Sequence, residues 1–257
     1  AFLGGIALTW YLTRFDFPLS YSLAIFSVFA LQAASIIVQT YLIEEEPSPV
    51  VERKPFFAFL KQLPNILHEN IPFRNFLIAT VVQIIATMPV GFYTVYALQR
   101  FSANESMVGA FTLAIVAVQV VSSLGIGYIV DRRGNKLALV IAACALFLAN
   151  VCAVFAPSLD WFMPVFIFLG INLGIEMLAR YNIAIEYGPT EQRAMYVGMM
   201  NTIIAPFYLV ALIGGAASDA FGYATVFWIG TIASVIGIAL MLFKVTEPRT
   251  LQRAGKT

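Results

Sequence analysis

Long apolar runs and short polar breaks alternate along almost the whole chain. Eight runs stand out, at residues 1–13, 19–42, 73–98, 106–130, 137–156, 160–185, 195–217 and 222–243. A helix needs about 20 apolar residues to cross the hydrocarbon core of a bilayer. Every run but the first is long enough, so the pattern predicts an all-α, polytopic membrane helix bundle. The first run is too short to span and reads as the end of a span that begins upstream. The chain also opens at Ala1 instead of Met and carries no signal-peptide pattern. The sequence therefore reads as the C-terminal portion of a longer membrane protein.

The polar breaks set the topology. The stretch from Gly127 to Lys136 holds four charged residues among ten. A turn that polar cannot lie in hydrocarbon, so the chain must leave the membrane there and re-enter. Alternating the spans collects segments 43–72, 131–136, 186–194 and 244–257, with Arg74 at a helix mouth, on one side. That side holds twelve of the fifteen Lys and Arg; Arg14 and Arg100 fall on the other, and Arg180 lies inside a span. An excess of Lys and Arg marks cytoplasmic loops, so this side and the C-terminus are expected to be cytoplasmic. A plasma (inner) membrane is the expected location.

Composition agrees with the pattern. Hydrophobic residues make up 60% of the chain and charged residues 11%, where a soluble domain carries about 45–50% and about 25%. Cys144 and Cys152 share one span, about 12 Å apart along a helix, too far for a disulfide. They read as buried free thiols. The sequence offers no metal cluster, no nucleophilic set and a single histidine, His68.

Residues 43–72 form the one clear division. They are polar, begin with Glu44-Glu45-Glu46 and carry Pro47, Pro49, Pro55, Pro64 and Pro72. Within them Phe56, Phe57, Phe59, Leu60, Leu63, Ile66 and Leu67 recur at helical spacing. This predicts an amphipathic helix on the cytoplasmic surface, kinked or broken at Pro64, with His68 a solvated interfacial residue. The flanks of this linker resemble each other. Leu3-Gly4-Gly5 and Ile213-Gly214-Gly215 each precede a short loop and a last span, which end at Glu44-Glu45-Glu46-Pro47 and at Glu247-Pro248. Two similar halves are what a duplicated transporter would have.

The loop Gly127-x-x-x-Asp131-Arg132-x-Gly134-x-Lys136 resembles the signature loop of the major facilitator superfamily, in its second-half copy between helices eight and nine. Glu186-Tyr187-Gly188-Pro189-Thr190-Glu191-Gln192-Arg193 resembles that family's loop between helices ten and eleven. Glu247-Pro248 is similar to its exit from helix twelve. Asn135 departs from the pattern, where a basic residue is commoner. The resemblance implies that 1–42 closes the N-terminal bundle (part of helix five, and helix six). It makes 43–72 the linker, 73–243 the six-helix C-terminal bundle (helices seven to twelve) and 244–257 a cytoplasmic tail. It also implies a secondary transporter with a central cavity and alternating access.

Several residues then acquire expected roles in gating. Gly127 would let a neighbouring helix approach, and Gly134 would take a left-handed conformation at a tight helix exit. Asp131 would sit on the N-terminus of helix eleven, near residue 195. Arg132, Arg133 and Arg193 would bridge to Glu186 and, with Lys136, hold the cytoplasmic side closed. The plainer reading of the loop is a basic anchor with a turn glycine.

Polar stripes test the architecture without any motif. Thr80, Gln83, Thr87, Gly91 and Thr94 fall within about 80° on a helix turning 100° per residue. Thr112, Gln119 and Ser123 share a face of the next span, Asn172, Glu176 and Arg180 of the fourth, and Asn201 and Tyr208 of the fifth. Spans 137–156 and 222–243 have no such stripe, only a lone Asn150 and Gly230, Ser234 and Gly237. That suits helices nine and twelve, peripheral in the family, with cavity residues on the other four. Gln32, Ser35 and Gln39 share a face of span 19–42, for which the pattern has no account.

Glu176 and Arg180 are the ionisable pair well inside a span. An unpaired charge there costs roughly 2.5–3.5 kcal/mol on insertion scales, and spacing of i, i+4 lets the two neutralise each other. Glu176 reads as a proton-coupling carboxylate or substrate ligand and Arg180 as its counter-ion or an anion clamp. Against this stands a structural ion pair. Arg180 lies about 28 Å along its helix from Trp161, a depth that favours snorkelling to the cytoplasmic interface. Tyr93, Tyr96 and Trp161 read as interfacial belt residues, Gly214-Gly215 and Gly230/Ser234 as packing sites, and Asp219 as a solvated loop residue.

The reading that results is a secondary active transporter for a small organic solute. Its partners would be the lipid bilayer, the solute, a coupling ion (a proton by first choice) and the missing N-terminal helices of the same protein. No cofactor and no nucleic acid is called for, and no catalytic residue is assigned. The alternatives are a non-transporting sensor or assembly protein on the same scaffold and, further off, a polytopic membrane enzyme.

Overall fold

The structure is a computed structural model in which residues 10–11, 14–15, 19–41, 56–102 and 105–253 are described. It divides into two compact units, Ala1–Arg53 and Lys54–Thr257. In the first, helix α1 (Leu19–Thr40) is predominantly apolar, and Tyr11 and Ser27 hydroxyls meet at 2.8 Å. The unexplained polar face of this helix is partly used internally, Gln39 Nε2 donating to Ser35 Oγ at 3.3 Å. The short first run lies mostly outside the described residues, and both marks of the first copy of the apparent repeat, Leu3-Gly4-Gly5 and the acidic exit at 44–47, lie wholly outside them.

The second unit contains α2 (Phe56–Glu69), α3 (Ile71–Ala86), α4 (Tyr93–Phe101), α5 (Glu105–Arg133), α6 (Asn135–Phe155), α7 (Leu159–Tyr187), α8 (Arg193–Ile204), α9 (Val210–Phe221), α10 (Tyr223–Phe243) and α11 (Pro248–Arg253). Among the described residues, seven helical stretches over the two units are long and apolar enough to cross a membrane. The chain is thus an all-α, multi-pass integral membrane protein. Helix α7 packs on both α5 and α6, and α10 packs on α3 and α6.

Glycine decides the tightest of these contacts. A Cβ on Gly170 would stand 2.7 Å from the Ile115 carbonyl oxygen, and one on Gly174 2.5 Å from that of Gln119. The pair forms a G-x-x-x-G face that lets α7 meet the backbone of α5, as small residues do between helices in lipid. The Gly127 expectation differs: it has open space beside it, so the close approach is made on α7 instead. Gly134 does have positive φ, +85°, but with ψ of 173°. That is an extended, glycine-only region and not the left-handed helical one, because α6 starts immediately at Asn135.

Two spans are interrupted. Residues Ile71–Phe101 pass from α3 through a 3₁₀ turn, Met88–Phe92, into α4. Residues Thr190–Phe221 are broken likewise at Ala205–Leu209. Pro89 and Pro206 fall in these turns, each lacking the N–H that a continuing helix requires. Proline does not always break a helix, however. Helix α2 runs from Phe56 to Glu69 with Pro64 inside it, so of the expected kink or break the break does not occur. Asn70 follows, its side chain accepting from the Phe73 N–H at 3.0 Å and so starting α3.

The far end of the bundle is aromatic. Tyr93, Tyr96, Phe162 and Phe227 form edge and tilted ring contacts, with centroids 5.0–6.4 Å apart. Trp161 is exposed there, as a belt residue would be, but Tyr93 is fully buried. Its hydroxyl has a partner inside the bundle, which removes the reason to sit at the interface. Asp219 is exposed in the last turns of α9, not in a loop.

Candidate functional site

A cavity of about 470 Å³ opens inside the second unit, within the range of roughly 300–1,000 Å³ usual for small-molecule sites. Both helix breaks contribute to its wall. Thr87, Val90 and Gly91 come from the first and Tyr208 from the second. Thr80 and Gln83 line it from α3, Gln119 from α5, and Asn172, Glu176 and Arg180 from α7. Eight of the ten sequence candidates therefore converge. Thr94 and Asn201 do not line the cavity; Asn201 accepts a long bond, 3.4 Å, from the Tyr181 hydroxyl. A break separates each of them from the cavity-lining residues of its own stripe, Thr94 lying past the first break and Asn201 before the second, so a stripe extrapolated across a break loses its face.

Leu139, Ala143 and Leu146 of α6 and Met241 of α10 also line the cavity. These helices were expected to be peripheral. A stripe of polar residues detects only a polar wall, and this wall is apolar.

The charge in the cavity is concentrated on α7. Arg180 Nε lies 3.2 Å from Glu176 Oε1, but its N–H is not aligned for a hydrogen bond and has no other partner among the described residues. Arg180 Nη1 donates to the Tyr208 hydroxyl at 2.7 Å. Arg180 is 8% exposed and turns toward the residue four positions earlier, away from the loop that follows α7. It does not snorkel. The arrangement is a buried guanidinium tied by one charge contact and one neutral hydroxyl, with N–H capacity left over. Gln83 adds an amide whose two polar atoms are buried without hydrogen-bond partners among the described residues. It reaches this place because Gly237 has no side chain: a Cβ there would stand 2.5 Å from Gln83 Nε2.

A second polar cluster joins three chain segments at the charged end of the bundle. Arg249 donates from Nε to Glu186 Oε1 at 3.1 Å, and from Nη1 to the carbonyls of Val130 at 2.9 Å and Asp131 at 3.3 Å. Glu247 Oε2 accepts from the Lys136 backbone N–H at 2.8 Å, and Lys136 Nζ donates to the Leu242 carbonyl at 2.9 Å. The loops at 131–136 and 186–193 and the exit at 247–249 thus meet at one end.

The expected partners are redistributed. The carboxylate at a helix N-terminus is Glu247 on α6, where unsatisfied N–H groups and the helix dipole favour it, and not Asp131 on α8. Asp131 is exposed. Glu186 takes Arg249 in place of Arg132, Arg133 or Arg193, and Arg132 lies 4.1 Å over the Tyr128 ring. Arg249 and Glu247 were legible only as an exit from the last span; their reach depends on α10 ending beside α6.

The Major Facilitator Superfamily profile matches residues 1–204 and 75–257. The chain belongs to this superfamily. It is similar to the 4-hydroxybenzoate transporter PcaK of Pseudomonas aeruginosa, 24% identical over 204 residues, 77% of this chain and 45% of that protein. It is also similar to the niacin transporter NiaP of Acinetobacter baylyi, 25% identical over 122 residues, 47% of this chain and 28% of that protein. The mouse solute carrier family 2, facilitated glucose transporter member 12, is 22% identical over 160 residues, 62% of this chain and 24% of that protein. The chain spans less than half the length of each of these relatives.

Proposed function

We propose that the whole protein is a secondary transporter that carries a small organic monoanion, coupled to protons, by alternating access. The charged end would face the cytoplasm, as the distribution of Lys and Arg indicates. The observation that carries this reading is the buried Arg180, held by Glu176 and Tyr208 in the wall of an otherwise mostly apolar cavity. A guanidinium with spare N–H donors suits a carboxylate, and the apolar wall suits a ring or short hydrocarbon beside it. Two of the relatives are named for 4-hydroxybenzoate and niacin, small aromatic acids of that description.

The chemistry couples the two ions directly. With Glu176 ionised, Arg180 is neutralised within the chain. A proton on Glu176 leaves the guanidinium free for the solute's carboxylate, so proton and anion enter together without net charge. The network of Glu186, Arg249 and Glu247 would close the charged end while the cavity opens on the other face.

The test is uptake of 4-hydroxybenzoate, nicotinate and glucose by the full-length protein in proteoliposomes, with an imposed proton gradient. Uptake of an acid that collapses with a protonophore supports the proposal. Gradient-independent glucose uptake would replace it with facilitated diffusion of a neutral solute. No uptake of any of the three, from protein shown to be folded, would favour a non-transporting role on this scaffold.

A further inference from the structure

Asn150 lies in α6 outside the cavity, is fully buried, and bonds to both sides of the break in the first span. Its Nδ2 donates to the Ala86 carbonyl at 3.3 Å, at the end of α3. Its Oδ1 accepts from the Tyr93 hydroxyl at 2.6 Å, at the start of α4. The second N–H reaches Ser234 Oγ of α10 at 3.1 Å, and that hydroxyl donates onward to the Gly230 carbonyl at 2.8 Å. Since Ala86 offers only a carbonyl oxygen, the amide orientation is not ambiguous.

The reason for the bridge lies in the backbone. In an unbroken helix the Ala86 carbonyl would accept from the Val90 N–H, but Val90 turns to Thr87, its N–H meeting that carbonyl at 3.0 Å. An acceptor orphaned in a water-poor interior is costly unless another donor reaches it, and the Asn150 amide does. Gly230 completes the fit: the Pro89 ring and Asn150 Oδ1 occupy the space its Cβ would fill.

We infer that Asn150 is a positioning residue for the cavity. By fastening Ala86 and Tyr93 to α6 and α10, it holds the break in register and so fixes where Thr87, Val90 and Gly91 stand in the cavity wall. It touches no solute and acts only through those residues.

The experiment needs no substrate and stands whether or not the proposed monoanion is right. Single cysteines at Thr87, Val90 and Gly91 of the full-length protein, with Cys144→Ala, Cys152→Ala and every other native cysteine replaced by Ala, are labelled in nanodiscs by a hydrophilic maleimide. Reporters at Gln119 and Leu173, which line the same cavity from other helices, serve as reference. Loss of the bridge in Asn150→Leu is expected to change labelling rates at the three break positions about threefold or more, leaving the reference positions unchanged. Tyr93→Phe, which removes only the α4 bond, gives the same pattern more weakly and stands in if Asn150→Leu does not fold. Unchanged rates at the break overturn the inference. So does an equal change at all five positions, because that is general loosening and not positioning.

Discussion

The cavity and the charged end of the bundle both depend on arginine, and they use it in opposite ways. Arg249 spreads its donors over one carboxylate and two backbone carbonyls from two other segments, and its side chain is 36% exposed. The Arg180 side chain is 9% exposed, has one carboxylate within ion-pair distance and donates to one hydroxyl. At the charged end the ion pair is partly exposed, so on the proposed reading water would take over each bond as it breaks and the network would open at modest cost. In the cavity the Arg180 side chain is almost wholly buried, and on the proposed reading its unused donors would take the carboxylate of the solute. One arginine ties helix ends together, and the other, on the proposed reading, would meet a ligand.

The largest expected effect comes from breaking the cavity side. Arg180→Ala should raise the KM for an organic acid by roughly ten- to a hundredfold, the loss of a charged hydrogen-bonded contact, and should also lower the melting temperature, because Glu176 loses its ion-pair partner. A KM that stays within twofold in the uptake assay would take Arg180 out of recognition. Next is Glu176→Gln, which keeps shape and removes the titratable group. Uptake should lose its dependence on pH between about pH 5 and pH 8. An unaltered pH profile would remove Glu176 from coupling.

The charged end should respond in stability more than in affinity. Gly134→Ala places a Cβ against the Glu247 carboxylate at φ of +85°, so a cost of about 1–3 kcal/mol is expected, read as a lower melting temperature. An unchanged melting temperature would mean that the Glu247 contact gives way freely. The smallest effect is that of Arg249→Ala, about 1 kcal/mol or less because the pair is partly solvated. Its sharper readout is increased maleimide labelling of a cysteine at Val130 or Glu186, while KM for the solute stays unchanged. A raised KM without added labelling would erase the distinction between the two regions.

Much of the fold could be read from the residues because lipid imposes a strong rule. Backbone polar groups in hydrocarbon must be satisfied within the helix itself, so length and hydropathy alone locate the spans. Glu176 and Arg180 were visible for the same reason, as charges where charge is costly. Asn150 was not. A single amide in an apolar run carries no periodic signal, and its role appears only when Ala86, Tyr93 and Ser234 are brought to it by three other helices. Gly170 and Gly174 did have a readable signature, their four-residue spacing, but nothing in it named α5 as the partner.

From its residues alone this chain is a multi-pass helical membrane protein of a recognisable superfamily, because burial in lipid acts locally on each apolar run. Which arginine meets which carboxylate, which carbonyl needs a side-chain donor, and which two breaks face one cavity were decided by tertiary packing. Those are contacts between segments tens of residues apart, and a one-dimensional pattern holds no record of the distance between them.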